Sequence, residues 1–198
     1  VSSAASDVYK RQLYWFSQTV GPDRGLECAI QALSLARCRP YLHLRGFLSP
    51  AYRVQLLELA RKHGVEHRLQ FHTPASPHQM ERLAAAYDVG LVAETGMTPN
   101  HRIALANKLF TYALAGIPML LSDIPAHCGV QAEAGIAAKL FRPDDALSLA
   151  EALDAWLDAP PDVLAKARAA SYRLGQERWN WEREQLALLA AVATVMGR

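Results

Sequence analysis

Short apolar runs alternate along this chain with longer segments in which apolar residues recur every three to four positions. The apolar runs predict strands at residues 13–16, 40–44, 68–71, 89–93, 117–121 and 136–141. The periodic segments predict helices at residues 25–36, 50–63, 77–87, 107–114 and 144–158, with two more from residue 160 and over residues 178–195. This alternation is typical of the α/β class, with a parallel sheet of about six strands covered by helices on both faces.

One connection is much longer than the others. A polar loop over residues 94–102 follows the continuous apolar run of the fourth strand, whereas the other strand-to-helix connections are short. Long loops in compact domains are usually functional, and open α/β sheets bind ligands beyond the carboxyl ends of their strands. We therefore expect the ligand site at residues 94–106.

The helix after this loop begins at Asn107, which is predicted to cap it, and is stopped by Gly116. Free backbone N–H groups and a partial positive charge at the start of a helix suit a diphosphate, and Lys108 adds a full charge. Arg24, at the end of the first strand, is the second cation expected near that diphosphate.

Composition excludes several classes of protein. The chain has 198 residues, enough for one domain of ordinary size, with 51% hydrophobic and 20% charged residues, as in folded globular proteins. The 21 basic residues are scattered and nearly balanced by 19 acidic ones, which argues against nucleic acid as a partner. No apolar run reaches the roughly 18 residues that span a bilayer, although peripheral association with a membrane stays open.

Cysteine and histidine usage bears on compartment and metal binding. Three cysteines without a paired spacing predict reduced thiols in the cytoplasm. The seven histidines lack the spacing of a metal site, so neither a metal nor another cofactor is expected. Residues 1–12 are similar to translated sequencing-adapter read-through, and we expect a non-native leader there, followed by a single domain over residues 13–198.

The segment 107–123 carries the strongest resemblance to a known family. Its sequence, NKLFTYALAGIPMLLSD, is similar to the block N-K-l-f-E-y-m-a-a-G-x-P-v-v-x-S-D of group 1 (family 4) retaining glycosyltransferases. Arg24-Gly25 resembles the K-G that follows the first strand of that family's C-terminal domain, and residues 64–71 and 87–91 resemble two further segments of it. The order and spacing agree from about residue 13 to the last helix.

This resemblance implies a Rossmann-like domain that binds the nucleotide-sugar donor, as the C-terminal half of an enzyme of the GT-B architecture. The acceptor-binding N-terminal half would then be missing from this chain and would be its partner. Two family features are absent. The acidic E-x7-E pair falls on Ile103 and Thr111, and residues 101–104 replace the glycine-rich segment that cradles the sugar.

Motif and position together assign a set of residues to a donor site. The set comprises Arg24, Asn107 and Lys108 for the diphosphate and Glu94, His101, Arg102, Thr111 and Thr73 for the sugar, the ribose or the base. Each assignment has a plainer structural alternative, such as an exposed, solvated lysine, a capping asparagine or a threonine hydroxyl bonded to its own helix. Trp179 and Trp181 are expected to anchor the last helix by packing.

We expect the whole protein to be a glycosyltransferase of the hexosyltransferase type that moves a sugar from a nucleoside-diphosphate donor to an acceptor. Its catalytic residues are unknown, and this chain alone is expected to bind the donor without turnover. Two alternatives stay open: a nucleotide-sugar epimerase of the same architecture, and a degenerate, non-catalytic scaffold domain.

Overall fold

The computed structural model describes residues 10–197, which form six strands and nine α-helices. The strands are β1 (Gln12–Val20), β2 (Tyr41–Leu48), β3 (Leu69–His72), β4 (Val89–Val92), β5 (Met119–Ser122) and β6 (Ala138–Phe141). The helices are α1 (Leu26–Leu35), α2 (Pro50–Lys62), α3 (Met80–Ala84), α4 (Pro99–Ile103), α5 (Asn107–Leu114), α6 (Pro125–Ala134), α7 (Ala146–Leu157), α8 (Pro161–Glu177) and α9 (Trp181–Val195).

The six strands form one parallel sheet in the order β3-β2-β1-β4-β5-β6. This order confirms the predicted α/β class and the Rossmann-like architecture. The chain builds the sheet outward from β1 to β3 and then returns to add β4 on the other side of β1, so the strand order reverses between β1 and β4. In sheets of this topology the reversal opens a crevice beyond the carboxyl ends of the two central strands, and ligands bind there.

Side chains of the central strands alternate between two apolar cores, one on each face of the sheet. On β1, Leu13 and Trp15 enter the core formed with α1, α2 and α7, whereas Tyr14 enters the core formed with α3, α5 and α6. Burial on both faces explains why the central strands read as continuous apolar runs rather than as alternating ones.

Helix α5 is fixed to the sheet by Tyr112. This side chain is fully buried, and its hydroxyl donates to the backbone oxygen of Tyr14 at 3.0 Å. The ring lies against Gly90 of β4, where a Cβ atom would come within 2.4 Å of it. Because Gly90 has no side chain, the helix can sit directly on β4, and this contact holds the start of α5 at the crevice.

Several predicted element boundaries were wrong. Strand β1 extends to Val20 because it pairs with β2 along most of its length, with an irregularity between Phe16 and Thr19. The predicted helix over residues 77–87 begins as a tight 3-10 turn and continues only as α3. Helix α6 was not predicted at all, because its sequence, PAHCGVQAEA, has only a weak apolar stripe.

The C-terminal helices also differ from the prediction. The last helix begins at Trp181 rather than at residue 178, because the side chain of Asn180 accepts the backbone N–H of Arg183 at 3.0 Å and caps it. Trp179 is buried against Phe110, which confirms its packing role. Trp181 is 64% exposed, so its predicted packing role is wrong.

The predicted leader falls largely on residues 1–9, which lie outside the described residues. Its last residue, Gln12, belongs to β1 and donates its backbone N–H to Asp88 at 2.7 Å. Within residues 10–197, no helix is both long enough and apolar enough to cross a membrane.

Candidate functional site

The crevice between β1 and β4 is shaped by Gly25. This residue precedes α1 with a φ of 68°, and a Cβ atom on it would lie 2.3 Å from the backbone oxygen of Ala93, just past the end of β4. Glycine tolerates both the left-handed backbone and this close approach. The start of α1 is therefore held against the end of β4, at the edge of the sheet where ligands bind.

The start of α5 lies at the same edge and has no side-chain cap. The capping position belongs to Ala106, which has an extended backbone and no hydrogen-bonding side chain, and Asn107 is the first helical residue. The predicted capping role of Asn107 is therefore wrong. The N–H of Leu109 donates to the backbone oxygen of Ala106 at 3.0 Å. No described side chain accepts the N–H groups of Asn107 and Lys108, so these two remain available to an anion, which the helix dipole also favours.

Lys108, in the first turn of α5, makes a buried ion pair with Glu94. The two side chains are 6% and 10% exposed, and Nζ of Lys108 lies 2.6 Å from Oε1 of Glu94. The ammonium group also lies 5.3 Å from the ring centroid of Trp15. The alternative of an exposed, solvated Lys108 is therefore wrong. Burial alone would raise the pKa of Glu94, but the charge and the hydrogen bond of Lys108 outweigh it and hold this pKa below its usual range.

A second layer of polar groups lies behind this pair, on β5 and α6. The hydroxyl of Ser122 donates to the backbone oxygen of Glu94 at 2.6 Å. Nδ1 of His127 lies 2.8 Å from the backbone oxygen of Ser122, and the His127 side chain is fully buried. Burial is the main cause that lowers the pKa of His127, which therefore stays neutral at neutral pH.

Sequence reasoning missed both Ser122 and His127. Ser122 is the last residue of a strand at the ligand-binding edge, and this position could have identified it. His127 lies in the first turn of α6, so it could not be placed without that helix.

Four buried polar atoms of this region have no hydrogen-bond partner among the described residues. They are Nε1 of Trp15, Oε2 of Glu94, Oγ1 of Thr95 and Nε2 of His127. Buried polar atoms in folded proteins are nearly always paired with protein, water or ligand. These atoms therefore indicate a place where something else completes the hydrogen bonding.

The remaining predicted residues lie around the crevice with different surroundings. Arg24 is half-buried beside Gly25 and makes no hydrogen bond or ion pair with another described residue. Thr111 donates to the backbone oxygen of Asn107 at 3.4 Å, as in the plainer alternative for a helical threonine. His101 and Arg102 lie on α4, with the side chain of Arg102 exposed, and their contacts to a ligand stay predictions.

Thr73 lies away from the ion pair, just after β3. Its backbone oxygen accepts from Arg45 at 2.7 Å, and its side chain is exposed. Strand β3 is three strand positions from β4, a separation of about 14 Å. Among the described residues, no group of three or more His, Cys, Asp or Glu side chains could hold a metal ion.

No protein-family model matches this sequence, and no curated protein matches it. Its fold resembles that of solved glycosyltransferases. HepE (Alr3699) of Anabaena, crystallised with UDP-glucose, has a TM-score of 0.76 and 17% identity over 93% of this chain. Sucrose-phosphate synthase of Thermosynechococcus elongatus has a TM-score of 0.79 and 17% identity over 96% of this chain.

This chain spans about half the length of those two proteins, 49% of HepE and 46% of sucrose-phosphate synthase. A third structure is the C-terminal domain of a group 1 glycosyl transferase (LpcC) of Francisella tularensis, with a TM-score of 0.70 and 12% identity. In that case the match covers 86% of this chain and 87% of the other. The likeness is one of fold, to group 1 glycosyltransferases of the GT-B architecture and to one of their C-terminal domains.

Proposed function

We propose that this chain is the donor-binding domain of a glycosyltransferase that takes a sugar from a nucleoside-diphosphate donor, with retention, and passes it to an acceptor. The observation that carries the proposal is the uncapped start of α5, with Lys108 in its first turn, at the reversal of strand order. Backbone N–H groups, the helix dipole and a cation at one point favour a polyanion such as a diphosphate.

Arg24 and Lys108 would contribute differently to diphosphate binding. Lys108 is already paired with Glu94, so a diphosphate must share this ammonium group with the carboxylate or draw it away. Arg24 makes no ion pair with another described residue and can turn to the ligand at lower cost. We therefore infer that Arg24 contributes more of the net attraction for the diphosphate, whereas Lys108 mainly sets where the diphosphate binds.

These groups also suit the chemistry of transfer. When the bond from the sugar to the diphosphate breaks, negative charge develops on the departing diphosphate. A helix start and two cations already in place would stabilise that charge without reorganisation. The rest of the catalytic arrangement would come from an acceptor-binding domain, and without it the acceptor is not positioned for reaction.

The structural neighbours support this proposal in two respects. HepE was crystallised with UDP and with UDP-glucose, the class of ligand proposed for this chain. HepE and sucrose-phosphate synthase are about twice as long as the matched part, which leaves room in each for a second domain of similar size. We propose a corresponding N-terminal domain as the partner of this chain.

Calorimetric titration tests the proposal. UDP, GDP and ADP and their glucose conjugates are added in turn to the chain, and we expect saturable binding of at least one pair with a Kd below about 1 mM. Arg24→Gln should raise the Kd of the diphosphate about tenfold, which corresponds to ~1.4 kcal/mol of binding free energy. Arg173→Gln, which changes an exposed arginine on α8, is the matched control and should leave the Kd unchanged.

Two results would count against the proposal. No saturable binding by any of the nucleotides would leave the scaffold alternative as the better account. Equal weakening by Arg24→Gln and Arg173→Gln would mean that only the overall charge of the chain attracts the nucleotide.

A further inference from the structure

Two unpaired acceptors lie deep in the candidate site. Oε2 of Glu94 and Nε2 of His127 are both buried without a partner among residues 10–197. Glu94 is 7% exposed and His127 is 0% exposed. A buried acceptor without a hydrogen bond is unfavourable, so these two atoms call for a ligand or a water molecule that donates to them.

The hydrogen bonds around His127 fix which of its nitrogens is free. Its Nδ1 lies 2.8 Å from the backbone oxygen of Ser122, and a carbonyl oxygen can only accept. Nδ1 therefore carries the proton, and in the neutral ring Nε2 is a bare acceptor. The hydroxyl of Ser122 donates in turn to the backbone oxygen of Glu94. Glu94, Ser122 and His127 thus form one connected unit with two free acceptors.

Because both free atoms are acceptors, they indicate which kind of ligand group can bind here. One oxygen of the Glu94 carboxylate is taken by Lys108, and the other can only accept. Two acceptors in a buried place repel a phosphate, which is itself an acceptor and an anion, and require a group that donates hydrogen bonds. The hydroxyl of Thr95, also buried and unpaired, can donate or accept. This set suits neighbouring hydroxyl groups on a ring.

The order of the strands indicates which hydroxyl groups these are. A nucleotide with its diphosphate at the start of α5 can extend in two directions along the edge of the sheet. In one direction lie β1, β2 and β3, with Thr73, a candidate contact of the sugar, the ribose or the base, just after β3. In the other direction lies β5, with Ser122 at its end and His127 just beyond it. The ribose and base would occupy the first direction, and the donor sugar the second.

The segment that follows Thr95 packs against α6, the helix that carries His127, and much of it is exposed. The segment after Thr95 includes α4, and residues 97–100 and 102–105 are all exposed. Segments with few buried contacts open at low free-energy cost. The unit formed by Glu94, Ser122 and His127 can therefore become accessible without disturbing the sheet.

Building on the proposed function, we propose that His127 and Glu94 form a sugar subsite, in which Nε2 of His127 and Oε2 of Glu94 accept hydrogen bonds from two hydroxyl groups of the donor sugar. Thr95 completes the subsite from the segment after β4. His127 is then a specificity-determining residue, which distinguishes the sugar nucleotide from the free diphosphate.

His127→Asn tests the subsite with little disturbance elsewhere. The asparagine amide can keep the hydrogen bond to the backbone oxygen of Ser122 but has nothing at the position of Nε2. The Kd of a glucose conjugate (UDP-, GDP- or ADP-glucose, whichever pair binds the wild-type chain) is compared with the Kd of its diphosphate. We expect the Kd of the conjugate to rise about tenfold and that of the diphosphate to stay unchanged.

Two further variants support this comparison. Thr95→Val removes a buried hydroxyl at constant shape, so it reports on the subsite even if His127→Asn fails to fold. It should raise the Kd of the glucose conjugate and leave the Kd of the diphosphate unchanged. His78→Asn makes the same exchange at an exposed histidine and should change neither Kd. Thermal unfolding of each variant establishes that it is folded.

Several results would overturn the subsite. If both Kd values stay unchanged in His127→Asn and Thr95→Val, the buried acceptors hold a water molecule only. If both weaken equally, His127 supports the fold rather than the sugar. If the variants raise the Kd of free glucose but not that of the glucose conjugate, the subsite binds an acceptor sugar rather than the donor sugar. In these cases the wild-type chain still binds nucleotide, whereas the absence of any wild-type binding overturns the proposed function together with the subsite.

Discussion

The buried ion pair of Lys108 and Glu94 links the stability of the chain to its ligand site. Both side chains are almost fully withdrawn from water, and each depends on the other for its charge to be compensated. Breaking such a pair on one side leaves an unpaired buried charge, whereas replacing both partners is often nearly neutral.

Lys108→Met should therefore lower the free energy of unfolding by about 3 kcal/mol, because the buried carboxylate of Glu94 loses its ion-pair partner. The double variant Lys108→Met with Glu94→Gln should recover most of this loss. Urea unfolding at pH 7 measures both. A double variant as unstable as the single one would mean that Lys108 stabilises by packing on Trp15 rather than by its charge.

A second residue-scale prediction concerns His43. Burial, followed by the charges of His72 and Arg45, lowers the pKa of His43 from 6.5 to about 4. Between these two pH values, His43 is therefore neutral in the folded chain but protonated in the unfolded chain. The stability that depends on neutral His43 is complete above pH 6.5 and is lost as the pH falls from there towards 4.

His43→Gln should flatten the dependence of stability on pH between 6.5 and 5, because glutamine does not titrate. Urea midpoints measured across this range give the slope. His78→Gln, at an exposed position, is the control and should leave the slope of the wild-type chain in place. If His43→Gln leaves the slope of stability against pH unchanged, the other buried histidines cause the pH dependence.

The sequence predicts those features of the site that depend on neighbouring residues, and it does not predict those that depend on packing between distant elements. Lys108 and Glu94 could each be assigned from local information, one from its motif and the other from its place at a strand end. Their pairing could not, since it depends on how far α5 leans over β4, which Tyr112 and Gly90 decide through packing. The same holds for the unpaired Nε2 of His127, which only the three-dimensional burial reveals.

Among the elements, α5 begins at the ligand-binding edge without a side-chain cap, as α1 and α6 also do. Helices α2, α7 and α9 are capped by Ser49, Asp145 and Asn180, whose side chains accept a backbone N–H of the first turn. In α5 the corresponding N–H, that of Leu109, donates instead to the backbone oxygen of Ala106 at 3.0 Å, and no described side chain accepts the N–H groups of Asn107 and Lys108. An anion is expected to supply the acceptor for these N–H groups.

Ala106→Asp tests this expectation, because its carboxylate would take the place of the anion. A carboxylate at the capping position should raise the free energy of unfolding by about 1 kcal/mol, and it should weaken binding of the diphosphate by at least about tenfold. Thermal unfolding and calorimetry measure the two effects. Ala104→Asp adds the same charge at an exposed position off the cap and should do neither. If Ala106→Asp binds as tightly as the wild-type chain, the start of α5 is not the anion site.

Element prediction succeeded where the apolar pattern was strong. The strands β3 to β6 and the helices α1, α2, α5 and α7 follow their predicted positions closely because each buries a continuous run or a stripe, whereas β1 and β2 extend beyond their predicted ends. Helix α6 was missed because tertiary contacts rather than its own pattern hold it in place. Helix α4 was missed because it lies within a polar loop and has no apolar stripe.

At the scale of the whole molecule, the two C-terminal helices have different roles. Helix α8 belongs to the core structure: Ser171 donates to the backbone oxygen of Ile117 at 2.7 Å, and Arg168 donates to that of Tyr87 at 2.7 Å. Gly175 lies so close to α5 that a Cβ atom would come within 2.6 Å of the backbone oxygen of Ala113. Helix α9, by contrast, has no buried residue.

Removal of residues 181–198 should therefore change the free energy of unfolding by less than about 1 kcal/mol. Removal of residues 161–198 should abolish cooperative unfolding, because it exposes the face of α5 and the carbonyl groups that α8 satisfies. Urea unfolding followed by circular dichroism distinguishes the two. A large loss of stability in the shorter truncation would mean that α9 packs on the domain in solution.

The contact between Lys108 and Trp15 has an optical consequence. The ammonium group lies 5.3 Å from the centroid of a fully buried indole ring, and indole emission responds strongly to a charge at such a distance. Any ligand that draws Lys108 towards itself must change the fluorescence of Trp15, whereas a ligand bound elsewhere leaves it alone. Because the chain has four tryptophans, an occupied crevice would change the part of the total emission that Trp15 contributes, without any added label.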